Sequence, residues 1–327
     1  MVGVSVLSGM QSLLDMALDR TVVPGYTSVG YRLRHAGWAD DPAPGALRDR
    51  TALVTGANRG LGKAIAAGLA RLGATVLLTV RDRDSGEQAR DDIIEAGIHE
   101  SAEVRVEVCD VSDLATVRAF ADDLAGRVPR LDVLIHNAGV LPPSRSETAD
   151  GHEITLATHV LGPILLTERL LPILADSGDA RVILMSSGGM YTQSLPTDDP
   201  EYRRGQYRGV TAYARTKRIQ VAFTPILARR WASQHIRVYS MHPGWADTPG
   251  VTEALPGFRA VTGPLLRTPE QGADTALWLA ATTPAPPTGR FWHDRRPRPQ
   301  HYLPLTRYGE RDRELLWRYC ADAIGLD

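Results

Sequence analysis

Residues 51–73 read TALVTGANRGLGKAIAAGLARLG. Thr51–Thr55 is a short apolar run of the kind that fills a buried strand. Gly60–Leu72 carries apolar residues at helical spacing until Gly73 closes it. Gly56, Gly60 and Gly62 lie at the junction. Glycines there let the backbone turn tightly and approach a pyrophosphate, and the first helical turn presents N–H groups with no partner inside the helix. The order is G-x-x-x-G-x-G. It is not a P-loop, because Ala57 stands where that pattern needs glycine and Ala64 where it needs Ser or Thr.

The alternation continues outward. Strands are expected at Thr75–Val80, Val104–Val108, Leu131–Ile135, Arg181–Met185 and Ile236–Met241. Helices are expected at Ser85–Ala96, Leu114–Ala125, Ile154–Leu174 (one long apolar helix, bent at Gly162–Pro163), Val210–Ala232, Pro269–Ala280 and Glu310–Ala323. Strand and helix in turn imply an α/β protein whose parallel sheet is covered by helices on both faces, and right-handed crossovers make it doubly wound. Three regions are expected: an N-terminal helical arm over 1–47, the doubly wound domain over 48–292, and a C-terminal extension with a terminal helix over 293–327. In the arm, Leu7, Met10, Leu14, Ala17 and Leu18 share one helical face, away from Asp15 and Asp19; a polar stretch, Asp40–Gly45, follows as a linker. The arm packs either on the protein's own surface or on a partner subunit. Membrane contact is the weaker reading, since Arg20 is the one cation in the first 31 residues.

Composition excludes several classes. The chain has 327 residues and a formal net charge of −1, which argues against a dedicated nucleic-acid binder. Cys109 and Cys320 are too few for a disulfide framework and fit a reducing compartment, so a cytoplasmic protein without an integral membrane segment is expected. No metal site is expected. Of 37 basic residues only Lys63 and Lys217 are lysines. Arginine serves as a surface cation almost anywhere, but it cannot act as a compact ammonium.

The end of the second strand bears on the cofactor. An NAD site places an acid there for the ribose 2′-OH, whereas a 2′-phosphate needs an arginine. Val80 occupies the acid's position, Arg81 follows, and Arg59 lies in the glycine turn; Asp82 and Asp84 are also close. Two arginines near one phosphate position favour NADP(H).

Tyr213-Ala-Arg-Thr-Lys217 sets a phenol and an ammonium four apart, hence on one helical face. A free tyrosine titrates near pH 10, too high for acid–base work at neutral pH, and a neighbouring ammonium lowers that value.

TGxxxGxG, then Asn137-Ala138-Gly139 after strand four, a serine after strand five, YxxxK, and Pro243-Gly244 after strand six together resemble the short-chain dehydrogenase/reductase family over residues 51 to about 290. MSSGGM (185–190), MHPGWADTPGV (241–251), GADTALWLA (272–280) and GRFWHDR (289–295) are similar to its "member 12" branch. The resemblance implies a Rossmann-type fold and an NADP(H)-dependent oxidoreductase interconverting a carbonyl and an alcohol. It implies Ser187, Tyr213 and Lys217 as catalytic residues, with His159 as the fourth member. It implies cofactor contacts from Gly56, Asn58, Arg59, Gly60, Leu61, Gly62, Arg81, Asp110, Val111, Asn137, Ala138, Gly139, Tyr213, Lys217, Pro243, Gly244 and Thr248.

Three positions depart from that pattern. His136 replaces the first asparagine of NNAG and is expected to brace strand four. His159, in THVLG, stands where an asparagine is expected; it either keeps a main-chain role or acts as a titratable group near pH 6.5. Ser187 and Tyr213 are 26 residues apart, roughly twice the usual gap. The added segment, about Tyr191–Gly209, with Arg203, Arg204 and Arg208, is either a flap over the site or a surface excursion. Trp245, Leu255, Phe258, Leu265 and Leu266, with Met190 and Tyr191, suggest an apolar pocket and a hydrophobic small-molecule substrate. The Arg290–Arg298 cluster is expected on the solvated surface. Homo-oligomerisation is left open, and the alternative function is a dinucleotide-binding sensor or scaffold without turnover.

Overall fold

The protein is described by a computed structural model at residues 15, 18–38, 40–248 and 262–326. Short helices α1 (Val22–Tyr26) and α2 (Ser28–His35) precede β1 (Thr51–Thr55), α3 (Gly60–Arg71), β2 (Thr75–Val80), α4 (Arg83–Glu95), β3 (Glu103–Val108), α5 (Leu114–Arg127) and β4 (Val133–His136). Then follow α6 (Ile154–Leu156), a π-helical turn (Ala157–Leu161), α7 (Gly162–Arg169), α8 (Leu171–Ala175), β5 (Arg181–Met185), α9 (Gly209–Arg230), β6 (Arg237–Met241), α10 (Pro269–Ala281), β7 (Arg290–His293), β8 (Arg296–Pro297) and α11 (Glu310–Ile324).

The strands form one sheet in the order β3-β2-β1-β4-β5-β6-β7-β8. Every pairing is parallel except the terminal β7–β8 hairpin. The order reverses between β1 and β4, where a doubly wound sheet opens its ligand crevice. Val54, Ile135, Ile183 and Tyr239 pack with α3 and α10 on one face, while Leu53, Leu134, Val182 and Val238 pack with α5, α7 and α9 on the other. Near-continuous burial along these strands is what two covered faces require.

Side chains set several boundaries. Asp82 begins α4 by accepting the Ser85 N–H at 2.9 Å, and Asp113 does the same for Thr116 at the start of α5. A Thr268–Gln271 capping box starts α10. The expected single helix over Ile154–Leu174 is instead three helices and a π turn. Pro163 sits at the start of α7 and Pro172 at the start of α8; neither can donate an N–H to a preceding turn.

The arm carries more than a surface helix. Leu7, Met10, Leu14 and Ala17 lie outside the described residues, but Asp15 and Asp19 are buried rather than solvated. Asp15 takes both terminal nitrogens of Arg298 at 2.8 Å and Arg34 Nε at 2.8 Å. The expected solvated Arg290–Arg298 cluster is therefore corrected in part: Arg298 is buried and paired, and Arg295 is tied to Asp274 at 2.6 Å, whereas Arg290 is exposed. The β7–β8 turn places Asp294 (φ 51°) and Arg295 (φ 55°) in the left-handed region, as a two-residue hairpin demands. Asp294 is gripped there by Arg267 (2.6 and 2.9 Å) and Arg34 (2.7 Å).

Candidate active site

The glycine turn folds back on the β4 loop. Gly56 (φ 65°) and Gly60 (φ 53°) are left-handed, and a Cβ on Gly62 would stand 2.2 Å from the Gly56 carbonyl oxygen. Asn137 fastens this turn: its amide donates to the Thr55 carbonyl (3.0 Å) and the Gly56 carbonyl (3.2 Å). Thr55 Oγ1 in return accepts the N–H groups of Asn137 and Ala138, both at 3.0 Å. Ala138 closes against Gly56, where a Cβ would meet its Cα at 2.8 Å. Glycines 56 and 62, Asn137 and Ala138 thus form one cradle, with Leu61 half-buried at the head of α3.

Beside it, Asp110 Oδ1 accepts the Ser112 N–H (2.9 Å) and hydroxyl (2.7 Å), which fixes the carboxylate next to buried Val111. Asn58 donates to Ser85 Oγ at 3.2 Å. Arg59 and Arg81 are exposed, Val80 is buried, and the Asp82 carboxylate is engaged in capping α4. Lys63 forms an ion pair with Asp92 of α4, so the second lysine ties together the two helices that flank the turn.

Ser187, Tyr213 and Lys217 converge at the ends of β5 and α9. Ser187 faces the Tyr213 phenol, and its Oγ accepts the Gly189 N–H at 3.2 Å. Burial raises the Tyr213 phenol above its ordinary value, and the neighbouring Ser187 partly offsets that. Lys217 Nζ lies 5.3 Å from the centroid of the Tyr213 ring and donates to the Met185 carbonyl at 2.6 Å. Burial pushes the Lys217 ammonium down to about 7. Ser186, the neighbour of Ser187, is occupied in fixing α9, donating to the Lys217 carbonyl at 2.9 Å.

His159 sits in the π turn and is fully buried. Its Nε2 accepts the Val140 N–H at 3.0 Å. A backbone N–H is always a donor, so Nε2 bears no proton and the neutral ring carries its hydrogen on Nδ1. Nδ1 therefore donates to Thr216 Oγ1 at 2.8 Å, and Thr216 passes its own hydrogen to the Tyr213 carbonyl at 2.9 Å. Burial and the Lys217 charge hold the ring well below 6.5. The titratable reading of His159 is corrected accordingly: protonation would put a second hydrogen against the Val140 N–H. The His159 main chain also takes part in the hydrogen bonding, its carbonyl accepting Gln220 Nε2 at 2.8 Å. His136 braces β4 as expected, its Nε2 donating to Thr167 Oγ1 at 2.8 Å, and burial holds it down to about 3.

The remaining segments divide. Pro243 and Gly244 follow β6, with Gly244 at φ 77° and its N–H donating to His242 Nδ1 at 3.0 Å. Thr248 is half-buried just before the undescribed residues 249–261, which include Leu255 and Phe258. Met190 and Tyr191 do not line an open pocket; both are buried with Tyr26, Val221 and Phe291. The Tyr191–Gly209 segment is strapped down near α6 rather than free. Glu201 is buried and accepts His152 Nδ1 (2.9 Å), the Glu153 N–H (2.6 Å) and the Tyr319 hydroxyl (2.6 Å). Its arginines 203, 204 and 208 are exposed. Thr216, Gln220, Arg267 and Tyr26 were not singled out from the sequence. The first two lie on α9, so their spacing from Tyr213 and Lys217 was the available signal.

A glycine-cradled crevice with a serine, tyrosine and lysine at the strand ends defines the class, and the chain belongs to the short-chain dehydrogenase family, whose model matches residues 50–257. It is 42% identical over 300 residues to human dehydrogenase/reductase SDR family member 12, covering 89% of this chain and 92% of that protein. It is 33% identical to human retinol dehydrogenase 14, covering 89% of each. Among solved structures it resembles the Pseudomonas aeruginosa RhlG/NADP active-site complex, with TM-score 0.62 and 27% identity over 76% of this chain and 96% of that one. It is an oxidoreductase of the carbonyl/alcohol type. No helix among the described residues is long and apolar enough to cross a membrane.

Proposed function

We propose that this protein is an NADP(H)-dependent oxidoreductase that reduces a carbonyl, or oxidises the matching alcohol, on a hydrophobic small molecule. The observation that carries the reading is the convergence of Ser187 and Tyr213, with Lys217 on the same face of α9. The left-handed glycines and the Asn137 lock fit a dinucleotide, since the turn is so tight that a Cβ at Gly62 would collide with the Gly56 carbonyl and the Asn137 amide. Gly56, Asn58, Gly60, Leu61, Gly62, Val111, Asn137, Ala138 and Gly139 would hold its adenosine and phosphate parts. Asp110 would bond the adenine amine, Lys217 the nicotinamide ribose, and Pro243, Gly244 and Thr248 would border the nicotinamide. When bound, the nicotinamide supplies or accepts hydride.

The chain's own groups do the rest. Ser187 and Tyr213 both donate to the substrate oxygen, so developing alkoxide charge meets donors already in place. Tyr213 carries the proton at its hydroxyl and yields it to that oxygen. Its raised pKa keeps the phenol protonated, which suits reduction. Lys217, turned from the Met185 carbonyl toward the tyrosine side, would lower that value for the reverse direction.

NADP(H) is favoured over NAD(H) by the exposed Arg59 and Arg81, by buried Val80 where an acid would stand, and by the engagement of Asp82 as a helix cap. A hydrophobic substrate is favoured by the relation to retinol dehydrogenase 14 and by half-buried Trp245 beside the site. Cys109 and Cys320 are buried unbridged thiols, which suits a reducing, cytoplasmic setting. Fluorescence titration with NADPH and NADH, followed by a panel of apolar aldehydes and ketones monitored through NADPH consumption, tests the reading. NADPH-selective binding with turnover is expected; binding without turnover on any carbonyl would favour the sensor instead.

A further inference from the structure

We propose that Tyr26, from the N-terminal segment, is a positioning residue of the active site. It wedges between the turn that carries Ser187 and the Pro243–Trp245 segment. The proposal rests on the oxidoreductase reading above and extends it to a part of the chain that lies outside the residues matched to the family.

The ring of Tyr26 is 3% exposed. On one side it abuts the residue after the serine: a Cβ on Gly188 would stand 2.6 Å from Tyr26 Cε2. On the other it meets His242 edge-on at 4.4 Å between centroids and Trp245 at 6.1 Å. Its backbone joins the same segment. The Tyr26 carbonyl accepts the Trp245 N–H at 2.8 Å, and a Cβ on Gly244 would stand 2.7 Å from that oxygen. Both segments thus present a glycine to Tyr26, and each glycine is needed for the approach. One residue of the arm therefore spaces the two loops whose separation sets where a substrate carbonyl meets Ser187.

The arm is held so that the wedge cannot drift. The carbonyls on either side of Tyr26 are both taken: Gly25 by Arg34 (2.8 Å) and Arg267 (3.1 Å), Thr27 by Arg267 (3.2 Å). Arg34 and Arg267 share Asp294, all three buried. Ions taken out of water gain little net stability compared with apolar residues of equal volume, but their fixed hydrogen bonds specify a single arrangement. What this cluster fixes is the backbone of residues 25–27.

The test uses the full chain with NADPH, and with decanal and all-trans-retinal as carbonyl probes. The variants are Tyr26→Phe, Tyr26→Leu and Tyr26→Ala. Turnover, KM, NADPH affinity and amide exchange over 186–192 and 242–248 are measured for each. No hydrogen bond of the Tyr26 hydroxyl enters the wedge, so Tyr26→Phe should stay within about twofold of the parent. Tyr26→Ala should lose kcat about 10–100-fold, as a displacement of reacting groups by roughly 1 Å does, with NADPH affinity within threefold. Exchange in both segments should rise. Tyr26→Leu, which keeps most of the bulk and secures a folded protein if the alanine variant is unstable, should fall between. Parent-like exchange in both segments of the leucine and alanine variants would overturn the proposal whatever the turnover. So would a Tyr26→Phe loss equal to that of Tyr26→Ala. A parent enzyme that binds NADPH and turns over neither probe would count against the oxidoreductase reading, while the exchange data would still decide the role of Tyr26.

Discussion

The imidazole of His159 accepts the backbone N–H of Val140 at 3.0 Å, which joins the loop after β4 to α9 through a ring whose Nε2 lone pair is already engaged. Thr216 completes the link, standing between His159 Nδ1 and the Tyr213 carbonyl. Replacing His159 with leucine would leave the half-buried Val140 N–H and one side of buried Thr216 without their partner, at up to about 1–3 kcal/mol for each group kept from water. Denaturant unfolding of His159→Leu should show that loss. His159→Asn retains an acceptor and should keep turnover within about tenfold, with cofactor affinity unchanged. The pH dependence of kcat in the two proteins should superimpose around pH 6.5, because a ring held well below that value contributes no titration there. A limb near pH 6.5 that vanishes in His159→Asn would contradict the bridge.

Lys217 gives a stability signature. Burial pushes its folded-state pKa down from 10.5 to about 7. Between those values the unfolded chain holds a proton that the folded chain lacks, so folding becomes more favourable as pH rises through the window. Below pH 7 the cost of burying the ammonium is fully present. Melting temperatures of the cofactor-free protein and of Lys217→Met should therefore differ most in the variant's favour near pH 6 and converge toward pH 10. A pH-independent difference would mean that Lys217 keeps its ordinary pKa in the fold.

The buried Asp294 is a second electrostatic commitment. Burial alone would raise its pKa, but His293, Arg267 and Arg34 reverse this and hold the carboxyl below the usual range. Its contribution is then present above pH 3.8 and lost as acid protonates it. Asp294→Asn tolerates the left-handed backbone, so any loss comes from leaving Arg267 and Arg34 uncompensated. About 3–5 kcal/mol is expected by chemical denaturation. A change under 1 kcal/mol would show that the charge is not needed.

Cofactor choice is tested at the turn. The double variant Arg59→Ala, Arg81→Ala should weaken NADPH about 10–100-fold, the worth of one or two charge-assisted contacts to a phosphate, and NADH by less than threefold. Equal weakening of both dinucleotides would place the arginines away from the 2′-phosphate.

Six of the eight strands were legible because most are apolar runs, as in Thr75–Val80 and Arg181–Met185, or alternate, as in Glu103–Val108, and glycine closes α3 at Gly73; β7 and β8, in the proline- and arginine-rich stretch after residue 289, were not. The Tyr213–Lys217 pair was legible for a similar local reason: helical spacing alone puts both on one face. What the sequence did not disclose depends on partners far along the chain. Arg298 and Asp15 look like surface charges until a contact across 283 residues buries them together. Periodicity cannot signal the π turn at His159, and a polar residue inside an apolar helix does not announce which backbone N–H it receives. Tyr26 lay in an arm whose apolar face suggested only packing, and its glycine counterparts, 188 and 244, mark nothing until the loops are brought together.

The central claim is that Tyr213 delivers the proton to a carbonyl oxygen that Ser187 holds. Its most direct test is Tyr213→Phe, with NADPH affinity by fluorescence and single-turnover reduction of all-trans-retinal measured in the same preparation. The account predicts NADPH affinity within about threefold of the parent and reduction slowed by at least about a hundredfold, the scale of a lost general acid. Reduction at a parent-like rate by Tyr213→Phe would contradict it.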